Sequence, residues 1–311
     1  MRREAGEFVY KGRAAGAAHI VRSRLIGIMS QRLGECRARM TIAPFLKWAG
    51  GKRWLVPKLR GVVPRNFGLY IEPFLGSGAA FFALKPDRAI LSDVNPWLID
   101  TYRAVRDNPD QVKQALSRHH DLHSREYYYQ VRDASFDDRA QRAAQLLYLN
   151  RTCWNALFRV NRDGKFNVPI GTKTKVIGAD DDFDIWANAL QFAEIVRQDF
   201  QVTISNANYG DFIFADPPYV TTHSTNGFIK YNENLFSWDD QIRLADACAA
   251  AARRGATAVI SNASHESVVA LYEERGASIE FVDRHSVIAS AGSKRRVVTE
   301  LLAIMRPMLC H

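Results

Sequence analysis

Asp216-Pro217-Pro218-Tyr219 is the stretch whose residue types can do chemistry. It closes the run Asp211 to Ala215, which reads as a short buried strand entered through Gly210. Neither proline has an N–H to donate, so the ladder stops there and carbonyls are left open. Open α/β sheets bind ligands at the carboxyl ends of their strands. One acid, two carbonyls and an aromatic face therefore arrive at one point. That set suits an exocyclic amine on a flat ring. The carboxylate and a carbonyl accept its two N–H groups, and the Tyr219 ring stacks on the base. A tight turn with a capping Asp accounts for the four residues equally well, so the rest of the chain must decide.

The elements that would position such a site come earlier. Leu69 to Glu72 reads as a strand, Pro73 to Gly78 as a glycine turn and Ala79 to Leu84 as an apolar helix. Strand, turn and helix in that order bring backbone close to a nucleotide. The third glycine of the dinucleotide fingerprint is missing, and Glu72 would repel a pyrophosphate. A cationic or phosphate-free ligand such as S-adenosyl-L-methionine fits better. A second strand, Ala89 to Leu91, leads to Asp93, near the ~20-residue spacing at which an acid binds ribose hydroxyls. Capping of the following helix is the competing use of Asp93. Gly50-Gly51-Lys52 invites a phosphate-loop reading, but Leu46 and Arg53 stand where that loop needs Gly and Ser or Thr. A turn between Trp48 and Lys52 remains.

Residues 96 to about 150 carry helical spacing. His119, His120 and His123 read as solvated helix residues rather than a metal site, because no Cys or paired carboxylate completes a ligand set. From Asn150 to Gly171 the chain mixes cations, amides and aromatics, with Asp163-Gly164 as a hairpin tip. Arg151, Trp154, Asn155, Leu157, Arg159, Asn161, Asn167 and Pro169 are its candidate nucleic-acid contacts, since such a hairpin can touch phosphates, enter a groove and wedge a base stack. A solvated hairpin is the alternative. Further along, the spacing predicts a helix over Phe183 to Ile195, a strand over Val202 to Ile204 and a polar loop over Thr221 to Ser237. Helix Trp238 to Arg253, strand Thr257 to Ile260, helix Ser267 to Arg275 and strands Ser278 to Val282 and Val297 to Ile304 follow. The basic loop with Lys294, Arg295 and Arg296 can hold a phosphate.

Composition sets the bounds. Of the 311 residues 47% are hydrophobic and 24% charged, which are globular values. No apolar run approaches the ~18 residues of a membrane span. The four cysteines are scattered, which argues against a disulfide frame or a zinc site and fits a reducing cytoplasm. A net charge of +9 suggests a polyanionic partner. Much of it lies in the first 40 residues, where nine Arg and Lys face only Glu4, Glu7 and Glu35. That segment is expected to be a loose basic tail, or to lie upstream of a start at Met40 or Met29.

Together the motifs resemble the Dam-type adenine-specific DNA methyltransferases. They are Phe-Leu-Lys-Trp-Ala-Gly-Gly-Lys (45–52), Glu-Pro-Phe-Leu-Gly-Ser-Gly (72–78), Ser-Asp-Val-Asn (92–95), Leu-Asn-Arg (149–151), Phe-Asn-Val-Pro-Ile-Gly (166–171), Asp-Pro-Pro-Tyr (216–219) and Ile-Ser-Asn (260–262). The resemblance runs from about Phe45 to Met305. It implies a class I methyltransferase (Rossmann-like) mixed α/β sheet, parallel except for the strand at Val297 to Ile304. Residues 41–95 and 196–311 would form the catalytic domain, and 96–195 an inserted helical target-recognition domain carrying the β-hairpin. Trp48, Lys52, Glu72, Phe74, Gly76, Gly78, Asp93 and Asp216 would line the S-adenosyl-L-methionine site. Asp216, Pro217, Pro218 and Tyr219 would hold the adenine. Trp154 and Asn155 fall on a wedge and a gap-filling amide, Arg159 on a guanine reader, and Leu157 and Pro169 on apolar base contacts. The implied partner is double-stranded DNA at GATC, in a bacterial or phage system, with no metal and no membrane. A cognate restriction endonuclease is a candidate partner, and a monomer or weak dimer is expected. An RNA adenine methyltransferase and a non-catalytic DNA-binding regulator remain alternatives. Three positions depart from the pattern. Ala156 replaces a usual Gly, and Thr172-Lys173-Thr174 replaces Arg-Tyr-Lys. Val202 replaces an acid that contacts the cofactor's adenine, which implies either a lower cofactor affinity or compensation by Asp199.

Overall fold

A computed structural model describes residues 42–161, 163–220, 236–285 and 297–307. The basic tail, most of the polar loop before Ser237, and Lys294, Arg295 and Arg296 lie outside the described residues. Seven strands form one sheet: β1 (Tyr70–Glu72), β2 (Ala89–Asp93), β3 (Ala193–Arg197), β4 (Phe212–Ala215), β5 (Thr257–Ala263), β6 (Ser278–His285) and β7 (Val297–Met305). Their order is β3-β2-β1-β4-β5-β7-β6. Every pairing is parallel except those of β7, which runs antiparallel to β5 and β6. The expected mixed sheet of a class I methyltransferase is therefore present. β1 and β4 are buried along their whole length, as strands covered on both faces must be. They are neighbours in the sheet, with Tyr70 opposite Phe212 and Ile71 opposite Ile213, although far apart in sequence. Strand order reverses between them, which opens a crevice at their carboxyl ends.

Several of the helices begin at side chains that cap them. α1 (Val56–Val62) and α2 (Ala79–Leu84) precede α3 (Pro96–Asp107), where Asn95 accepts from the Trp97 and Leu98 N–H groups and Pro96 takes the first turn. α4 (Pro109–Asp121), α5 (Arg125–Asp133) and α6 (Arg139–Thr152) follow, the last two capped by Ser124 and Asp138. Ser237 and Asp240 form a reciprocal capping box at the start of a helix over Trp238–Arg253, the span its spacing predicts. Among the described residues no helix is long and apolar enough to cross a membrane.

Three local expectations are corrected. The helix at Phe183 stops at Leu190, and Ala193–Arg197 is the edge strand β3. Ala193 and Ile195 are buried while Glu194 is exposed, a two-residue period that a helix cannot keep. Residues around Val202 form a helix, Phe200–Ser205, because Asp199 caps it and Phe200, Thr203 and Ile204 fall on one buried face. Val202 itself is 53% exposed. His119 is buried rather than solvated. Its Nδ1 pairs with the Tyr127 hydroxyl at 2.8 Å within an aromatic group that includes Tyr148, and burial lowers its pKa to about 4.

Candidate active site

β4 ends at Ala215, which is in register with Ile260 of β5. Asp216 therefore stands beside Ser261, whose hydroxyl donates to Asp216 Oδ1 at 2.6 Å. Lys52 arrives from the other end of the sequence. The Gly51 N–H closes a turn on the Trp48 carbonyl at 3.0 Å and delivers a lysine that is only 5% exposed. Its ammonium lies 3.0 Å from Asp216 Oδ1, 3.6 Å from Glu300 Oε2 and 4.7 Å from the centre of the Tyr219 ring. It also donates to the Gly50 carbonyl at 2.9 Å. The Tyr219 hydroxyl donates to Glu300 Oε2 at 2.6 Å, and Arg284 Nη1 lies 3.4 Å from Glu300 Oε1. Burial pushes the Asp216 carboxyl above its ordinary value, while Lys52 and the Ser261 hydroxyl pull it back. Burial, with the negative charges of Asp216 and Glu300, holds the Tyr219 phenol well above its usual value.

Glu300 is absent from the sequence reading. It is a buried acid inside β7, the one charged residue of that strand, followed by the apolar run Leu301 to Met305. A lone charge in such a run is the signal that could have found it, because a buried charge needs partners.

Three acids stand on consecutive strands at one edge of the sheet. Glu72 ends β1, Asp93 ends β2 and Asp216 follows β4. Glu72 is buried. It accepts from the Tyr70 hydroxyl at 2.8 Å and the Phe81 N–H at 3.2 Å. Burial raises its pKa to about 8, with a further push from the Asp216 charge against the pull of Tyr70. Asp93 Oδ2 accepts from the Gly76 N–H at 3.3 Å, and its Oδ1 from Asn95 N–H at 3.0 Å. The helix cap is Asn95, not Asp93. Gly76 sits at φ 47°, and a Cβ there would lie 3.0 Å from the Trp48 ring. Only glycine lets that turn pass under the indole without strain. Phe74 stacks on Phe200, centres 5.3 Å apart. Gly78 begins α2 in a left-handed conformation. An acid-rich edge lined by rings suits a ligand that carries positive charge and a flat base. Asp199, by contrast, is committed to its helix cap and to Arg243 at 2.9 Å.

The 150–171 segment makes an antiparallel excursion held by two isolated bridges, Cys153 to Ile170 and Val160 to Phe166. Gly171 sits against its base, where a Cβ would lie 2.6 Å from the Cys153 carbonyl oxygen. Trp154, Asn155, Arg159, Asn161 and Pro169 are exposed, and Leu157 is half-buried. Asn161 closes the tip, its side-chain oxygen accepting from the Asp163 and Lys165 N–H groups. Asn167 Oδ1 accepts from Arg159 Nε at 2.8 Å and fixes the direction of that guanidinium. Arg151 is corrected. Its guanidinium is nearly buried and donates to the carbonyls of Val176 and Phe45 and to Asp181. It ties α6 to the Phe45–Lys52 arm and does not face outward. Phe158 stacks on Trp48, centres 5.1 Å apart, so the excursion and the arm share one aromatic contact.

The family profile described as D12 class N6 adenine-specific DNA methyltransferase matches residues 48–288. A type II methyltransferase of Lactococcus lactis, M1.LlaDCHI, is 33% identical over 274 residues, covering 85% of this chain and 95% of that protein. The DNA adenine methylase of Vibrio cholerae is 34% identical over 270 residues, covering 85% and 96%. The DNA adenine methylase of Escherichia coli K12 is 32% identical over 267 residues, covering 85% and 95%.

Proposed function

Since this chain belongs to the D12 class N6 adenine-specific DNA methyltransferases, we propose that it methylates adenine within GATC in duplex DNA, on a base flipped out of the stack. The observation that carries the reading is Asp216 and Tyr219 together at the carboxyl end of β4, with two further acids, Glu72 and Asp93, at the ends of β1 and β2. The family implies S-adenosyl-L-methionine as methyl donor. The residues fit it, because an edge with Glu72, Asp93 and Asp216 and with the rings of Trp48 and Phe74 matches a ligand bearing a sulfonium, an ammonium and an adenine. Lys52, Gly76 and Gly78 complete the set. When bound, the cofactor supplies an electrophilic methyl group.

The protein's own task is to make a poor nucleophile react. The adenine amine is weak because its lone pair is delocalised into the ring. Asp216 and the Pro217 carbonyl accept its two N–H groups, favour a tetrahedral nitrogen and stabilise the positive charge that develops there. Pro218 gives no N–H that would compete, and the Tyr219 ring stacks on the base. Fixed geometry supplies much of the remaining acceleration. Flipping the base costs a few kcal/mol, offset by stacking on Tyr219 and by Trp154 and Asn155 filling the gap. Arg159 reads a guanine, with Leu157 and Pro169 on neighbouring bases and Asn161 and Asn167 supporting the tip. Lys294, Arg295 and Arg296 hold backbone phosphate.

Incubation with labelled cofactor and three substrates tests this: a GATC duplex, a duplex lacking GATC, and GATC-containing RNA. Label is expected in the GATC duplex alone. Equal labelling of both duplexes would remove the GATC assignment, and labelling of RNA would move the substrate.

A further inference from the structure

We propose that Glu300 is a positioning residue of this site, the acceptor that takes the Lys52 ammonium when Asp216 and the face of Tyr219 are given to the adenine. This rests on the adenine methyltransferase reading above. A single ammonium now covers both groups the base needs, Asp216 Oδ1 at 3.0 Å and the Tyr219 ring centre at 4.7 Å. A base cannot stack where the ammonium sits, and Lys52 and Ser261 both donate to Asp216 Oδ1, so only Oδ2 is open to an amine until Lys52 moves. Lys52 must therefore shift as the base enters. It is 5% exposed, so a shift to an unpaired position would cost several kcal/mol.

Glu300 removes that cost. Its Oε2 is already 3.6 Å from the ammonium, so a movement of well under an ångström turns a charge contact into a hydrogen bond. The Gly50 carbonyl, 2.9 Å away, acts as the pivot that stays in place. Glu300 is itself held from two sides, by the Tyr219 hydroxyl on Oε2 and by Arg284 beside Oε1. It also lies within a strand, paired with Ala263 and Val282, rather than on a loop. The carboxylate can thus receive the lysine while keeping the tyrosine ring in position. Asp216 and Glu300 form two berths for one cation, and the substrate decides which is used.

The test uses the full chain in four forms: wild type, Glu300→Gln, Lys52→Met and the double variant. Gln keeps an oxygen for the Tyr219 hydroxyl, removes the charge and turns the group beside Arg284 from acceptor to donor, a change the Lys52→Met background carries equally. Single-turnover methylation of a duplex at saturating cofactor should slow at least about tenfold in Glu300→Gln, the size expected of coupled charged neighbours. S-adenosylhomocysteine affinity by calorimetry should stay within about threefold of wild type. In the Lys52→Met background the same change should cost under about threefold, because the ammonium it serves is gone. A duplex with 2-aminopurine at the target gives a readout that does not depend on the Lys52 variants. Its fluorescence rise on binding should be clearly smaller with Glu300→Gln. Equal losses in both backgrounds, a wild-type rate in Glu300→Gln, or a loss confined to S-adenosylhomocysteine affinity would each overturn the proposal. A wild-type chain that methylates no duplex would sink the functional reading itself, and this inference with it.

Discussion

The Lys52–Asp216–Tyr219–Glu300 cluster is built from a closed turn, the carboxyl end of β4 and the interior of β7, while the 150–171 excursion stands on two isolated bridges. In the first, each charged group is partnered and mostly buried. In the second, Trp154, Asn155 and Arg159 are exposed, and Asn155 and Ala156 adopt left-handed backbone at φ 52° and 53°. The functions proposed for the two regions give the contrast a physical reason. Chemistry on an amine needs charges fixed before the substrate arrives, which requires burial and pairing. Base reading needs side chains that protrude into a groove, which a packed interior cannot supply. Damage to the first region should therefore appear in rate and in pH dependence. Damage to the second should appear in sequence preference and in salt dependence.

The sharpest break would come from Asp216→Ala. It deletes the acceptor and leaves Lys52 to Glu300. Methyl transfer should fall by at least ~10²–10³-fold, the scale of losing a preorganised electrostatic contact, while DNA affinity by gel shift stays within a few-fold. Near-normal turnover would mean that the two regions are not divided in this way.

Next in size is Glu72→Gln. Burial raises the Glu72 pKa to about 8, so the folded protein keeps a proton that the unfolded chain gives up near its ordinary value. An acid raised in this way favours the fold at low pH. That contribution is lost as pH climbs from the ordinary carboxylate range to about 8, and is flat above it. Gln stays neutral throughout. A tenfold change in proton affinity is worth about 1.4 kcal/mol, so the gain of Glu72→Gln over wild type should grow by the order of a few kcal/mol between acidic and alkaline buffer. Asp93 and Asp216 are also raised by burial and titrate in both proteins, so they drop out of the difference apart from the repulsion between Asp216 and Glu72. Thermal melts across that range check it. A constant gap between the two proteins would show that Glu72 takes up its proton at the same pH in the folded and the unfolded chain.

The sequence carries the strands and helices better than the direction in which single side chains face, and local pattern explains why. β4 and β5 are apolar runs with clear ends, and Ser237 with Asp240 announces a helix. At Val202 the β-branched residues mislead, because one capping Asp199 outweighs a weak strand preference. Glu300 escapes because its partners Lys52, Tyr219 and Arg284 come from three distant stretches. Arg151 is misplaced for the same reason. Its role depends on Phe45 and Asp181, on either side of it in the chain. Charge and motif place a residue near a site. They do not say which way it faces.

Within the excursion, Arg159→Ala should cost about 1–3 kcal/mol of discrimination at one guanine, with the single-turnover rate on the preferred site falling much less. Methylation mapping over a random library reads this directly. The loss should also soften the salt dependence of binding only slightly if Arg159 meets a base edge rather than a phosphate. An unchanged preference would take Arg159 out of the reading set and leave Asn167 holding it for another purpose.

The smallest effect belongs to Ala156. At φ 53° an alanine pays about 1–2 kcal/mol that glycine would not. Glycine in turn loses about 0.5–1 kcal/mol to the freedom of the unfolded chain. Ala156→Gly should therefore stabilise the protein by at most about 1.5 kcal/mol, a rise in Tm of a few degrees at most. The same change loosens the joint between Asn155 and Leu157. If the wedge must be preorganised, Trp154 will then insert less often, and DNA affinity will drop slightly as stability rises. If both quantities rise together, the alanine is plain strain and the excursion gains nothing from being stiff. Calorimetric melting and gel shifts on the same pair of proteins separate the two outcomes, because only preorganisation predicts opposite signs.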